Sequence, residues 1–411
     1  MDVNEQIRQD AVDYSLKSIK YICEEIGPRE SGSANERRTQ EWLRKEMLDK
    51  GYADSAEIEE FRVSPHGLVG FTKIISVMMV IAVACQFLAY AGETAALAGR
   101  IVSLVLAVLS LVILLLEFLM YIPFIDFLLP RRTSSNLCAV KKPSGEVKRR
   151  IVFSGHTDSA YRWILLEKGP KVMYTVLVPA IAGLAFAIIT FLVALIKGAT
   201  PLWMMIANAV FVPFYIGVYF FCTFKTVVPG ANDNLTGVLA SVAVLKCLKD
   251  SGITLENTQV EVVATGSEEA GLRGAKAWAK KHKKEIADSG IDTVFIGLET
   301  LRDYEHTSIY VRDLTGTVKH DADAVTLLDK ASAAIGHPLP HASVYFGASD
   351  AAAITKAGIK ATCLAAMDPT PADYYHNEKD TADNMCPETF RLGLDVALAA
   401  VDIFDKEGFG K

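Results

Sequence analysis

Four stretches of the chain, residues 68–91, 101–125, 172–196 and 202–224, run almost without polar interruption, and only Lys73 and Glu117 within them carry charge. Each is longer than the roughly 20 consecutive apolar residues that a helix needs to cross the hydrocarbon of a bilayer. Core helices of a large soluble protein are shorter and keep a polar stripe, so the pattern predicts four transmembrane helices in two hairpins, with turns at 92–100 and 197–201. Elsewhere the rhythm changes. Residues 3–25 and 35–50 space their apolar positions as amphipathic helices do, whereas 151–154, 259–265, 293–298 and 360–365 are short apolar runs of the kind buried strands show. Alternating helix and strand signals predict an α/β body with a central mixed sheet. Its three parts are 1–67, 130–171 and 225–411, and the hairpins occupy 68–129 and 172–224.

Composition adds boundaries. The chain is 51% hydrophobic, and the excess lies in the four spans; the remainder is charged to the extent of an ordinary soluble domain. A net charge of −6 leaves no basic surplus for a phosphate backbone, which excludes nucleic acid as the expected partner. Seven cysteines without a Cys-x-x-Cys pair argue against a disulfide framework and against a thiolate metal site, and fit a reducing compartment. Residues 1–27 are charged and amphipathic and carry no signal-peptide core. An even number of crossings returns the three soluble parts to one face. Lys and Arg crowd the span ends there (Arg131, Arg132, Lys168, Lys171 and Lys225 among them), against Arg100 and Lys197 opposite. The positive-inside rule places that face in the cytoplasm.

Polar clusters follow the strand-like runs directly: Gly155-His156-Thr157-Asp158, Gly266-Ser267-Glu268-Glu269 and Glu299-Thr300. In open α/β sheets the crevice at the carboxyl ends of strands is where ligands bind. Adding Asp233 and His376 completes a set of nitrogen and oxygen donors without thiolate, which suits zinc in hydrolytic and two-metal sites. Singly these residues have ordinary explanations: a structural histidine, an N-capping aspartate, a glutamate pair at a helix start. Their joint placement after strands is what gives them weight.

The ordered motifs HTD, GANDNLTG, EEAGLRG, GLET, ASD and YHNEKDT, with an N-terminal GPRESGSANE segment, resemble the M28 family of co-catalytic dizinc peptidases across all three soluble parts. The resemblance implies a zinc-peptidase-like α/β/α domain and two zinc ions per chain. It implies that Asp233 bridges the ions, that His156 and Glu299 complete one site, and that Glu269 and His376 complete the other. Asp158 would orient the His156 imidazole, and Glu268 would be the general base that takes a proton from water and returns it to the leaving amine. A carboxylate can span two cations about 3.5–4 Å apart, so these roles are chemically coherent.

Two departures matter. Aminopeptidases of the family commonly carry Asp where this chain has Glu299, and a tyrosine where it has Phe346. The oxyanion donor must then come from elsewhere: Tyr375 matches the tyrosine of the glutamate carboxypeptidase branch, Tyr345 is a second candidate, and simple packing beside a ligand is the alternative for either. Arg273, Arg302 and Arg312 follow the motifs and are candidates for holding a substrate carboxylate, though each also reads as a surface charge.

The second hairpin enters between His156 and Asp233, two residues that must reach one metal centre, so the site is expected near the membrane surface. Peptides or acylated amino compounds presented from the lipid interface are the expected substrates. The leading expectation is a membrane-embedded exopeptidase of aminopeptidase type. Its rivals are a carboxypeptidase or N-acyl amino acid amidohydrolase, a catalytically silent receptor or scaffold, and a transporter. An ionisable Glu117 inside a span suggests function by default, with pairing to Lys73 or Asn208 as the structural alternative.

Overall fold

The computed structural model describes residue 1 and residues 3–409. It divides into two units, Met1–Pro65 with Arg131–Tyr161 and Val227–Lys411, and His66–Pro130 with Arg162–Thr226.

The first unit is built on a nine-stranded mixed sheet. The strands are β1 Ser55–Val63, β2 Arg132–Lys141, β3 Arg149–His156, β4 Thr258–Thr265, β5 Asp292–Glu299, β6 Thr307–Asp313, β7 Val318–Lys319, β8 His341–Ser343 and β9 Ala361–Ala366. Their order is β1-β2-β4-β3-β5-β9-β6-β8, with β7 on β6. The four apolar runs of the sequence are its centre: β3 is parallel to β4 and β5, and β5 is parallel to β9. Strands buried on both faces read as continuous hydrophobic runs, and Ile151, Val152 and Phe153 are all fully buried.

Side chains alternate across the sheet. Val294, Ile296 and Leu298 join the core beneath helices Glu5–Tyr21, Thr236–Asp250 and Pro387–Glu407. Phe295, between them, meets Trp278 of helix Arg273–Ser289, their rings 5.6 Å apart. The sheet is therefore covered on both sides, which is the expected α/β/α layering.

Helix Thr236–Asp250 starts unusually close to the sheet. A Cβ on Gly237 would lie 2.0 Å from the Leu298 carbonyl oxygen, so only glycine lets the helix begin there. All seven cysteines are free thiols.

The second unit holds four helices long and apolar enough to cross a membrane: Gly67–Tyr90, Glu93–Leu119, Pro170–Lys197 and Leu202–Tyr219. Three boundaries differ from the sequence expectation. Residues 93–100, expected as a turn, are helical, because small residues let that turn pack closely: a Cβ on Gly99 would sit 2.4 Å from the Cys85 carbonyl oxygen. The last span is two short helices, Leu202–Ala209 and Val212–Tyr219, broken just before Pro213. Residues 162–171 cluster with this unit rather than with the sheet, since the short helix Ile164–Glu167 leads directly into Pro170–Lys197.

Small residues line the helix contacts. Ala82, Ser103, Ala107 and Ala187 are fully buried, and Ser103 Oγ donates to the Ala82 carbonyl at 2.6 Å, the packing that membrane helices use in place of a hydrophobic driving force. Glu117 is buried and its Oε1 accepts the Ile125 N–H at 2.7 Å, capping an unwound segment. Lys73 instead donates to the carbonyls of Tyr219 and Cys222. Asn208 bonds Thr190, Met204 and Gln86. Neither is the expected partner of Glu117; both satisfy backbone or amide groups within the bundle.

Candidate metal centre

The carboxyl ends of β3, β4 and β5 lie side by side, with His156 opposite Thr265 and Ser154 opposite Gly297. His156 is the last residue of β3, Glu268 and Glu269 follow β4, and Glu299 ends β5. Asp233 lies in the irregular segment Ala231–Leu235 that feeds the closely packed helix, and His376 lies in the loop after β9. Seventy-seven positions separate His156 from Asp233, yet the fold brings them into contact.

Asp233 is the hub. Its Oδ1 lies 3.0 Å from His156 Nε2 and its Oδ2 lies 3.1 Å from His376 Nε2. His156 Nε2 is 3.5 Å from Glu299 Oε1, and His376 Nε2 is 3.3 Å from Glu269 Oε1. Two donor sets result, His156/Asp233/Glu299 and Asp233/Glu269/His376, sharing one carboxylate. Glu268 Oε2 stands 3.8 Å from His156 Nε2.

The site is electrostatically tense. Burial pushes Glu268, Glu269 and Glu299 up, Glu299 to about 7. For Asp233, burial is outweighed by the two imidazoles, which hold its carboxyl below the usual range. Burial disfavours the charged histidines, but the surrounding carboxylates win and raise both, His376 to about 9. Asp233 Oδ2 and Glu269 Oε1 are buried without a well-aligned hydrogen bond, their nearest neighbour being His376 Nε2 at 3.1 and 3.3 Å, so both keep lone pairs that a cation can meet. Nitrogen and oxygen lone pairs converging in two sets, without thiolate, fit zinc.

A second ring of groups fixes these donors. Asp158 Oδ1 accepts Glu268 N–H at 2.9 Å, and its Oδ2 accepts Glu269 N–H at 3.1 Å and Ser31 Oγ–H at 2.7 Å. The expectation that its carboxylate orients His156 is only part of its work: at His156 Nδ1 the nearer oxygen is the Asp158 backbone carbonyl, 3.1 Å away against 3.5 Å for the carboxylate. Glu36 Oε1 accepts Ser267 N–H at 2.8 Å while its Oε2 accepts Gly32 N–H and Ser134 Oγ–H, each at 2.8 Å. Burial and the nearby Asp158 charge still push Glu36 up to about 8. Ser267, Thr300 and His376 all have positive φ, at 54°, 46° and 53°. Each such residue costs about 1–3 kcal/mol, and such strain gathers at functional sites.

Sequence reasoning missed Arg29, Glu36, Asp350 and Asp380 as parts of this assembly. Asp380 was in view within YHNEKDT, and Asp350 within ASD. Arg29 and Glu36 gave no signal beyond the N-terminal segment that holds them. Among the tyrosine candidates, Tyr375 is half-buried and stacks on His376 with ring centroids 3.8 Å apart, whereas Tyr345 and Phe346 are exposed. Arg302 is engaged by Asp303 and Asn384, Arg273 Nε by the Ala270 carbonyl, and Arg312 is exposed on β6. A further Glu59/Cys138/His282 cluster lies away from the centre. There the Lys281 ammonium, 2.8 Å from Glu59, already supplies the cation.

Residues 217–401 match the family model for peptidase family M28. No curated protein sequence matches the chain. Similar solved structures include the aminopeptidase from Aneurinibacillus sp. strain AM-1, at 14% identity and TM-score 0.57 over 97% of this chain and 95% of that one. A zinc aminopeptidase from Bacillus subtilis aligns at 14% identity and TM-score 0.56 over 95% and 94%. Glutaminyl cyclase from Fimbriiglobus ruber aligns at 14% and 0.55 over 95% and 95%. At such identities the likeness is one of fold.

Proposed function

We propose that this M28-family peptidase-fold protein is a zinc-dependent exopeptidase of aminopeptidase type that hydrolyses peptide bonds with two metal ions. The observation that carries the reading is Asp233, whose two oxygens face two different imidazoles at 3.0 and 3.1 Å. His156, Asp233 and Glu299 would hold one ion, and Asp233, Glu269 and His376 the other. When bound, the ions supply Lewis acidity toward the scissile carbonyl and toward water.

The chain's own groups do the rest. Glu268, its proton affinity raised by burial, accepts a proton from the attacking water as the new C–O bond forms. It returns that proton to the nitrogen as the C–N bond breaks. Tyr375, beside His376, is the candidate donor to the oxyanion. Amino-terminal polarity is supported by the arginines that could hold a substrate carboxylate: Arg302 and Arg273 are engaged within the chain.

The four apolar helices supply the membrane anchor, with the catalytic unit on the cytoplasmic side according to the distribution of Lys and Arg. Because residues 162–226 enter the chain between His156 and Asp233, substrates are peptides or acylated amino compounds presented at the lipid interface.

The test is metal analysis together with a peptide library, with free and blocked termini and with amino-terminal glutamine, on wild type and Glu268→Ala. Both proteins should bind about two zinc ions per chain, and only wild type should cleave peptides with a free amino terminus. Stoichiometric zinc with no cleavage of any library member would refute the peptidase reading. Cyclisation of glutamine without cleavage would replace it with the chemistry named for the Fimbriiglobus relative. Equal kcat/KM for soluble and lipidated forms of one peptide would remove the interfacial part.

A further inference from the structure

We infer that Arg29 is a positioning residue for the metal centre, stapling the chain where it leaves His156 to the place where it returns to Asp233. Its consequence for metal rests on the two-ion reading above. Arg29 is fully buried. Its Nε donates to the Thr157 carbonyl, Nη1 to the Pro229 carbonyl and Nη2 to the Gly230 carbonyl, each at 2.7 Å. The backbone adds a reciprocal pair: Arg29 N–H donates to Ser159 Oγ and Ser159 N–H to the Arg29 carbonyl, both at 3.0 Å.

The chemistry of this arrangement is unusual for a buried cation. Its strong side-chain hydrogen bonds go to neutral carbonyls, the Cys23 thiol lies beside it, and Asp380 and Asp158 offset its charge only as neighbours. Burying an unpaired charge is costly, so general fold stability is a poor reason for it. Location supplies a better one. Thr157 follows His156 directly, Gly230 precedes Asp233 by one turn of chain, and residues 162–226 lie entirely between the two stapled points. The contact of His156 Nε2 with Asp233 Oδ1 at 3.0 Å depends on keeping those points in register across the insertion. Three carbonyls in a fixed fork need a planar guanidinium, and an ammonium cannot reproduce it.

Arg29→Lys and the milder Ser159→Ala, each in the full-length chain in detergent, test this by amide hydrogen exchange on metal-free protein and by zinc titration. Arg29→Lys should speed exchange at 157–160 and 228–235 while helix Pro387–Glu407 keeps its protection, and should weaken zinc binding by about 10-fold or more. Ser159→Ala should give the same pattern at smaller amplitude, and decides the question if Arg29→Lys does not fold. Unchanged exchange in those two segments, or an even rise across the whole sheet, would overturn the inference. A wild type that takes up no zinc would remove the two-ion reading, while the exchange comparison would still decide the role of Arg29.

Discussion

Asp380 supports Asp233 from behind: its Oδ2 accepts the Asp233 N–H at 3.1 Å while its Oδ1 accepts the N–H and the side-chain amide of Asn232 at 2.7 and 2.9 Å. Burial and the Asp233 charge push Asp380 up to about 7 against those donors. Replacing it with asparagine turns an NH2 toward groups that need an acceptor. Asp380→Asn should fold and lose about 10–100-fold in zinc affinity, the usual loss when a group supporting a ligand is removed. Competition with a chromophoric chelator measures it, and an unchanged dissociation constant would dismiss the support role.

Glu36 gives the metal-free protein a pH signature. Its folded carboxyl sits at about 8 against a usual 4.5, so the folded chain keeps a proton that the unfolded chain has released. The associated stabilisation is fully present below about 4.5 and is lost as pH rises through about 8. Stability of metal-free wild type should fall over that window, with up to about 1.4 kcal/mol per pH unit from this group. Glu36→Gln should flatten the slope by that amount in urea melts at pH 5, 6, 7 and 8; an unaltered slope would place the proton elsewhere.

Gly237→Ala should be among the most damaging small substitutions. Its Cβ would lie 2.0 Å from the Leu298 oxygen and 2.5 Å from Asn234 Oδ1, so strand and helix start must separate, at a cost of about 3 kcal/mol. Thermal unfolding should show a lowered Tm, and zinc content should fall with it because Leu298 and Asn234 adjoin the proposed ligands Glu299 and Asp233.

In the second unit, Asn208 joins Thr190, Met204 and Gln86. Asn208→Ala should lower stability in detergent by about 1 kcal/mol, the scale of hydrogen bonds between membrane helices, and leave zinc affinity untouched. A large drop in zinc affinity would contradict that separation.

What the sequence revealed follows from what patterns record. β3, β4, β5 and β9 were legible because strands buried on both faces are apolar throughout. β1, Ser55–Val63, was not, since charges interrupt its exposed face; β2 was not, since Ser134, Ser135 and Asn136 are buried among polar partners rather than apolar ones. The donors were legible because each directly follows a strand or lies in a recognisable motif. Arg29 and Glu36 escaped because their partners are backbone groups of Pro229, Gly230 and Ser267, 200 to 231 positions away, and main-chain atoms leave no trace in residue spacing. The helical start at Glu93 escaped because it depends on local packing.

Val63 pairs with Arg132 in the sheet, and beyond the end of β3 the Val228 N–H bonds the Ala160 carbonyl, so each apolar insert leaves and rejoins the first unit through one pair of neighbouring backbone positions. Chain order then sets a schedule for synthesis. All four apolar helices emerge from the ribosome before β4, β5 and β9 exist, and β3 must wait for both of its parallel neighbours. Until then its apolar length has no cover, which is the condition under which nascent sheets aggregate. Synthesis of the two apolar inserts therefore precedes completion of the sheet, and the last donor, His376, arrives only when the chain is nearly finished.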